Sequence, residues 1–219
     1  MARRGHRGTL ALAGAATALT LLLSGCGGAG DTGAPVTGIT TNDDDGYRGI
    51  GMGQDAYRVP EVAGLTDTEG RPFDLATQDE RTLVFFGYTK CPDICQVVMS
   101  TIASAVAKLS PEDKARLQMV FVTTDPARDT REVLRTYLDR YDPSFEGVTG
   151  SLADVVALGK PMDILVEKGR KLPSGGYEVD HSTVVISVEG GRGDLVWTGA
   201  TSPSDMAADL EKVLQEDAG

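Results

Sequence analysis

The chain has no apolar run long enough to cross a membrane, few cationic side chains and only two histidines. Its most apolar uncharged stretch, Thr9 to Leu23, has fifteen residues. At about 1.5 Å per residue such a helix reaches roughly 22 Å, short of the ~30 Å hydrocarbon core of a bilayer. A permanent transmembrane helix is therefore a poor reading of this segment. Basic residues number 21 against 32 acidic ones, for a net charge of −11. That deficit argues against nucleic acid as a partner and against a polybasic grip on anionic lipid. A C-x₂-C pair of the kind found in zinc sites and dithiol oxidoreductases is missing, and no proline lies between Pro173 and Pro203. No internal repeat or second linker is visible.

What the amino terminus does contain is three zones in the order of a signal peptide. Arg3, Arg4 and Arg7 form a basic start, Thr9 to Leu23 an Ala- and Leu-rich core, and Leu23-Ser24-Gly25-Cys26 resembles a bacterial lipobox. Arg3-Arg4 lacks the residues that usually follow a twin-arginine pair. Small residues let a peptidase reach the bond before Cys26, whose thiol can then carry a diacylglyceryl group. Acyl chains contribute about 0.8 kcal/mol per buried CH₂, so a multiply acylated cysteine anchors firmly. An ordinary secretory signal with an incidental cysteine is the alternative. The expected layout is a signal peptide over 1–25, a lipidated cysteine and flexible tether over 26–54, and one folded domain over 55–217. The expected location is extracytoplasmic, lipid-anchored to the outer face of the cell membrane. Cleavage removes three of the 21 basic residues and leaves 18 against 32 acidic ones, a net charge of −14. Three cysteines would leave an odd thiol in an oxidising compartment. Lipidation of Cys26 leaves the single pair Cys91 and Cys95.

The tether, Gly27 to about Gly53, is rich in Gly, Thr, Ala and Asp and has almost no aliphatic side chain to bury. Beyond it, strand and helix signals alternate. Leu83-Val84-Phe85-Phe86 and Leu117 to Val122 are continuous apolar runs, as in strands buried on both faces. Cys95, Met99, Ile102, Val106 and Leu109 recur at helical spacing before Pro111. Asp129 reads as an N-cap with Glu132 at the third helical position, ahead of the apolar face Val133, Leu134, Tyr137, Leu138 and Tyr141. Ser151 to Leu158 predicts a short helix and Asp163 to Val166 a strand, with Lys168 to Tyr177 as a loop. Thr183 to Val188 and Asp194 to Thr198 predict two strands joined through Gly190, Gly191 and Gly193. Ser202-Pro203 opens a last helix carrying Met206, Leu210, Val213 and Leu214. This order is that of an α/β, thioredoxin-like single domain, here with an N-terminal hairpin extension around Gly70.

Chemistry concentrates where the first buried strand meets the first long helix, at Cys91-Pro92-Asp93-Ile94-Cys95. The partial positive charge of a helix N-terminus stabilises thiolates and makes them available to metals or disulfides. Three intervening residues put the sulfurs about one helical turn apart, so both can reach one ion. The same closeness allows a disulfide, structural or redox. His181, in Val179-Asp180-His181-Ser182-Thr183, is the one histidine left once His6 departs with the signal. A lone loop histidine is often a bystander, but an imidazole beside two thiolates suits a soft or borderline metal. Asp125, in Thr124-Asp125-Pro126-Ala127-Arg128-Asp129-Thr130, ends a strand where α/β sheets place their sites. It is a candidate group just outside the ligand set, or a weak ligand. For Asp129, turn and capping chemistry is the preferred reading.

Three blocks together carry a resemblance. Phe85 to Cys95, Thr124 to Thr130, and Tyr177 with Val179 to Thr183 look like the signatures of the Sco (SenC) family, over about residues 55 to 216. The resemblance implies a thioredoxin-like fold binding one copper, Cu(I) or Cu(II), through Cys91, Cys95 and His181. It implies a role in assembling the copper A centre of cytochrome c oxidase subunit II, as metal donor, thiol reductant or both. Other extracytoplasmic copper chaperones are further expected partners. A copper chaperone without turnover is the preferred reading over an enzyme, the thiol–disulfide oxidoreductase cycling Cys91 and Cys95. One departure is Gln96, where the family commonly has proline; a first helical turn does not require it.

If Cys26 is the lipidated first residue, Cys26→Ser stops incorporation of labelled fatty acid and leaves a larger precursor or soluble protein. Unchanged mass and membrane attachment in that variant contradict this reading.

Overall fold

The computed structural model describes residues 45–92, 94–171 and 177–218. The expected signal segment, Cys26 and most of the tether lie outside the described residues. In chain order the elements are β1 (Ile50–Gly51), β2 (Tyr57–Arg58), β3 (Thr66–Asp67), β4 (Arg81–Gly87), α1 (Ile94–Lys108), the single turn α2 (Pro111–Lys114), β5 (Leu117–Thr123) and α3 (Arg131–Leu138). There follow β6 (Glu146–Thr149), α4 (Leu152–Gly159), β7 (Val166–Lys171), β8 (Tyr177–His181), β9 (Val185–Glu189), β10 (Arg192–Trp197) and α5 (Pro203–Glu216).

The main sheet runs β1-β10-β9-β4-β5-β6-β3, with β2 also on β10. β4, β5 and β6 are parallel, whereas β9 and β10 join antiparallel. Every residue of β4 is buried, and the strand period of two divides its side chains between two cores. Leu83, Phe85, Met119, Phe121, Val185, Leu195 and Trp197 join side chains of α1, α3 and α5 on one face. Val84, Phe86, Val120, Val122, Val148, Ile186 and Val196 join Val155 and Leu158 of α4 and the N-terminal segment on the other. Each fully buried large apolar side chain stabilises the fold by about 1.5–3 kcal/mol. The continuous apolar runs of the sequence are thus explained: both faces of the central strands are covered.

The opening hairpin closes at Gly70, whose φ of 83° suits glycine. There the Asp67 N–H donates to the Arg71 carbonyl at 3.0 Å, and Thr66 bridges Pro72. Gly190 and Gly191, at φ 54° and 71°, form the tight turn between β9 and β10 as two left-handed residues of a hairpin require. Gly193, expected in that turn, lies within β10 opposite Val188.

Further elements differ from expectation, and β1 (Ile50–Gly51), paired with β10, falls within the span expected as tether. The strand predicted for Asp163 to Val166 starts only at Val166, because Asp163 takes a left-handed φ of 54° and ends the turn after α4. Part of the predicted loop 168–177 is paired strand instead: β7 and β8 form a separate two-stranded sheet, and residues 172–176 lie outside the described residues. β6 was not apparent in the sequence at all.

A carboxylate on α5 ties the amino-terminal segment down. Asp209, 2% exposed, accepts the backbone N–H groups of Arg48 at 2.8 Å and Gly49 at 2.7 Å, and the Trp197 indole N–H at 2.8 Å. Gly49 lies so close to Trp197 that a Cβ there would sit 2.7 Å from the ring. Asp209→Ala strands three donors and should cost about 2–4 kcal/mol, since buried donors left without a charged acceptor are expensive. Urea unfolding followed by the fluorescence of Trp197, the chain's one tryptophan, checks this; a loss below ~0.5 kcal/mol, the range of neutral surface changes, contradicts it.

Candidate metal centre

The parallel register of β4 with β5 brings Gly87 level with Thr123. Both strands therefore end together, and the loops that follow them lie side by side. The Thr124 N–H and hydroxyl both donate to the Gly87 carbonyl, at 2.7 and 3.1 Å. The first loop turns back through a Cys91 N–H bond to the Tyr88 carbonyl at 3.2 Å and leads into α1.

Cys91 and Cys95 come together at the start of that helix. The Cys95 N–H donates to the Cys91 sulfur at 3.4 Å. Cys91 thus occupies the place of a capping acceptor, where the helix N-terminus favours the thiolate. No disulfide joins the two in this structure. They are more enclosed than their place at a helix start suggests: Cys91 is 5% and Cys95 0% exposed, in the same buried cluster as Met99, Phe121 and Tyr137.

Asp125 is buried, and its N–H donates to the Thr123 hydroxyl at 3.0 Å. Its carboxylate is ion-paired with the Arg128 guanidinium, which lies 5.8 Å from the Tyr88 ring centre. A carboxylate in that pair would have to share its charge with Arg128 in order to ligate a cation. Asp129 corrects a sequence expectation. The N-cap of α3 is Thr130, whose hydroxyl accepts the Val133 N–H at 3.4 Å. Asp129 is instead fully buried and turns back to the thiol loop, accepting the Thr89 N–H at 2.9 Å, the Thr89 hydroxyl at 2.6 Å and the Thr123 hydroxyl at 2.8 Å. Burial raises its carboxyl above the usual value, against the lowering pull of those bonds.

His181 is the last residue of β8, its backbone opposite Val166; its side chain lies outside the described residues. Among the described residues, no group of three or more His, Cys, Asp or Glu side chains is arranged to hold a metal ion. The described part of the site is a dithiol at a helix N-terminus. Its donor chemistry fits a thiophilic ion, and equally a disulfide exchange.

Tyr137, read from the sequence only as part of an apolar face, lies near both thiols. Burial pushes its phenol well above the usual range, followed by the Tyr141 hydroxyl, 3.5 Å away, and then the charge of Cys95 and Cys91. It stays a neutral phenol at any physiological pH. A surface pocket of about 360 Å³ opens beside it, between Thr89 and Lys90 on the thiol loop and Glu132, Thr136 and Arg140 at α3. Thr89, Thr123 and Tyr137 were not singled out by sequence reasoning. The available signal was the pairing of Asp129 with Thr130, two capping-type residues at one helix start where a single one suffices.

Comparison with known proteins places these features in a family. The SCO1/SenC family model matches residues 57–215. The chain is 33% identical over 120 residues to the mitochondrial SCO2 protein of Saccharomyces cerevisiae, covering 54% of this chain and 40% of that protein. The chain thus spans less than half of that relative's length. The solution structure of apo Sco1 from Thermus thermophilus is similar at a TM-score of 0.68 and 30% identity, covering 76% of this chain and 96% of that one. ScoI of Bradyrhizobium japonicum, solved with copper bound, is similar at a TM-score of 0.62 and 26% identity, covering 71% and 98%.

The two thiols should differ in reactivity. In the native, metal-free chain at neutral pH, iodoacetamide should modify Cys91 before Cys95, because Cys91 carries the helix-stabilised sulfur and Cys95 has no exposed surface. Peptide mass spectrometry over a time course reads both rates. Equal rates, or Cys95 reacting first, contradict this placement.

Proposed function

Because the chain belongs to the SCO1/SenC family, we propose that it is an extracytoplasmic copper chaperone, anchored through lipidated Cys26, that carries one copper ion on Cys91, Cys95 and His181 and helps assemble the copper A centre of cytochrome c oxidase subunit II. The observation that carries this reading is the pairing of Cys91 and Cys95 at the N-terminus of α1, with the Cys95 N–H on the Cys91 sulfur. Two thiolates suit Cu(I), and an added imidazole helps hold the harder Cu(II). The copper present in the Bradyrhizobium ScoI structure supports the choice of metal. Residues 177–181 reach His181 through β8, and the imidazole completes a three-ligand set in this reading. Cys91 and Cys95 give up their protons on loading, so binding releases protons and weakens as pH falls. Enclosure of both sulfurs protects the cargo from adventitious thiols until a partner opens the site.

A second reading uses the dithiol alone. Cys91 and Cys95 would reduce a disulfide on the partner, yielding two partner thiols and a Cys91–Cys95 disulfide. The Cys95 N–H on the Cys91 sulfur, which keeps the two cysteines neighbours at the helix start, favours it as the alternative. His181 separates the two, since thiol–disulfide exchange depends on cysteine pKa and accessibility and a copper site depends on the third ligand.

In the copper reading, His181→Ala removes the thiolate–Cu(II) absorption band and impairs oxidase copper A assembly in cells, while Cys91 and Cys95 still form a disulfide. Full assembly in such cells, with undiminished reduction of oxidised subunit II cysteines, would replace the chaperone reading with the reductase. Either single change, Cys91→Ser or Cys95→Ser, should abolish tight Cu(I) binding in a competition titration against a chromogenic chelator. Unaltered affinity in either variant contradicts the ligand assignment. Cys95→Ser should also lose about 1–3 kcal/mol of stability, because it buries a hydroxyl in an apolar cluster.

A further inference from the structure

Asp129 is placed to do more than shape a turn. It is 0% exposed, and it does not cap α3, a task Thr130 performs. Its two oxygens receive three donors from two different segments. Oδ2 accepts the Thr89 N–H and the Thr123 hydroxyl, and Oδ1 accepts the Thr89 hydroxyl. The Thr123 oxygen in turn accepts the Asp125 N–H. One carboxylate therefore joins the loop that carries Cys91, the end of β5 and the turn that carries Asp125. Thr89 stands two residues before Cys91 in the chain, so the clamp acts on the same short loop. Desolvating a carboxylate and surrounding it with neutral donors is a costly way to brace a loop. An amide or a hydroxyl would brace it with less penalty, but neither supplies an acceptor for all three donors at once.

We propose that Asp129 is a positioning residue for the thiol pair: by clamping Thr89 against the end of β5, it holds the Cys91 loop closed over the site and so limits how fast Cys91 reacts and how fast the site gives up metal. The metal part rests on the copper reading; the thiol part does not. Loosening the clamp frees the loop by local opening, leaving the body of α1 in place. Cys91 should then become accessible while Cys95, on the core side of α1, stays protected. General destabilisation would expose both cysteines together.

The test uses the full chain purified in detergent, without metal, at one pH. Iodoacetamide rates at Cys91 and Cys95 are measured by peptide mass spectrometry for wild type, Asp129→Asn, Asp129→Ala, Thr89→Val and the Thr89→Val/Asp129→Ala double variant, with a thermal melt of each. The clamp predicts that Asp129→Ala speeds Cys91 by about tenfold, the equivalent of ~1.4 kcal/mol of loop opening, with Cys95 changed far less. Asp129→Asn, which keeps the shape and part of the accepting capacity, should recover much of the difference. Thr89→Val should give a partial effect, and the double variant should be no faster than Asp129→Ala alone, because both act on one link. In the copper-loaded protein, the same order should appear in the rate of Cu(I) transfer to a chelator. Equal acceleration of Cys91 and Cys95 would overturn the proposal, as would a lowered melting temperature with Cys91 reactivity unchanged. If Asp129→Ala does not fold, Asp129→Asn and Thr89→Val decide by the same ratio of rates. Failure of the wild type to retain copper overturns the copper reading alone, and the metal-free rates still judge the clamp.

Discussion

The thiol end of the molecule depends on the parallel pairing of β4 with β5. Because Gly87 and Thr123 are level, the loop leading to Cys91 and the turn holding Asp125 and Asp129 start side by side. Gly87 also leaves room for the neighbouring strand's side chain, since a Cβ on it would lie 2.9 Å from the Phe121 ring of β5. Parallel strands need both faces covered, and the two apolar clusters supply that cover. The same burial that makes the pair stable makes its register costly to shift, because a slip of one residue would exchange the two faces of each strand. The geometry of the site is thereby inherited from the sheet.

Charge is arranged differently at the two ends of β4. At its start, the buried Arg81 guanidinium bonds Asp217 at 2.6 Å, Asp194 at 2.9 Å and Ser187 at 2.6 Å. A permanent cation held by two carboxylates resists loss of its proton, and the linkage joins β4, β9, β10 and the C-terminus of α5. At the far end, beside the Asp125–Arg128 ion pair, lie weaker acids in low-polarity surroundings: two thiols, a phenol and a carboxylate bonded to neutral donors. The helix N-terminus is what favours the charged form of Cys91 in that setting. In the proposed copper reading, the two thiols are the groups that give up protons when the ion arrives.

Much of this was legible from residue order. β4, β5, α1 and α5 announce themselves because Leu83 to Phe86 and Leu117 to Val122 are unbroken apolar runs and the helices carry a long apolar stripe. Cys91 and Cys95 were legible as a pair through spacing alone. β6 was not, because Glu146-Gly147-Val148-Thr149 is too short and mixed to signal a strand; its pairing partner β5 decides it. Likewise β7 and β8 hold each other through backbone pairing such as Lys168 opposite Val179, which no local pattern reveals. Asp129 was misread because a capping residue and a buried acceptor look alike in sequence, and only the proximity of Thr89, forty residues away, distinguishes them. The enclosure of both sulfurs is a tertiary property for the same reason.

The central proposal is that Cys91, Cys95 and His181 hold one copper ion. X-ray absorption at the copper edge of the loaded full chain tests it most directly. The account predicts one copper per chain with two sulfur neighbours and the outer-shell scattering of one imidazole ring, the latter lost in a chain whose His181 is replaced by alanine. A copper environment of oxygen and nitrogen without sulfur, or an imidazole signal that survives that replacement, would contradict it.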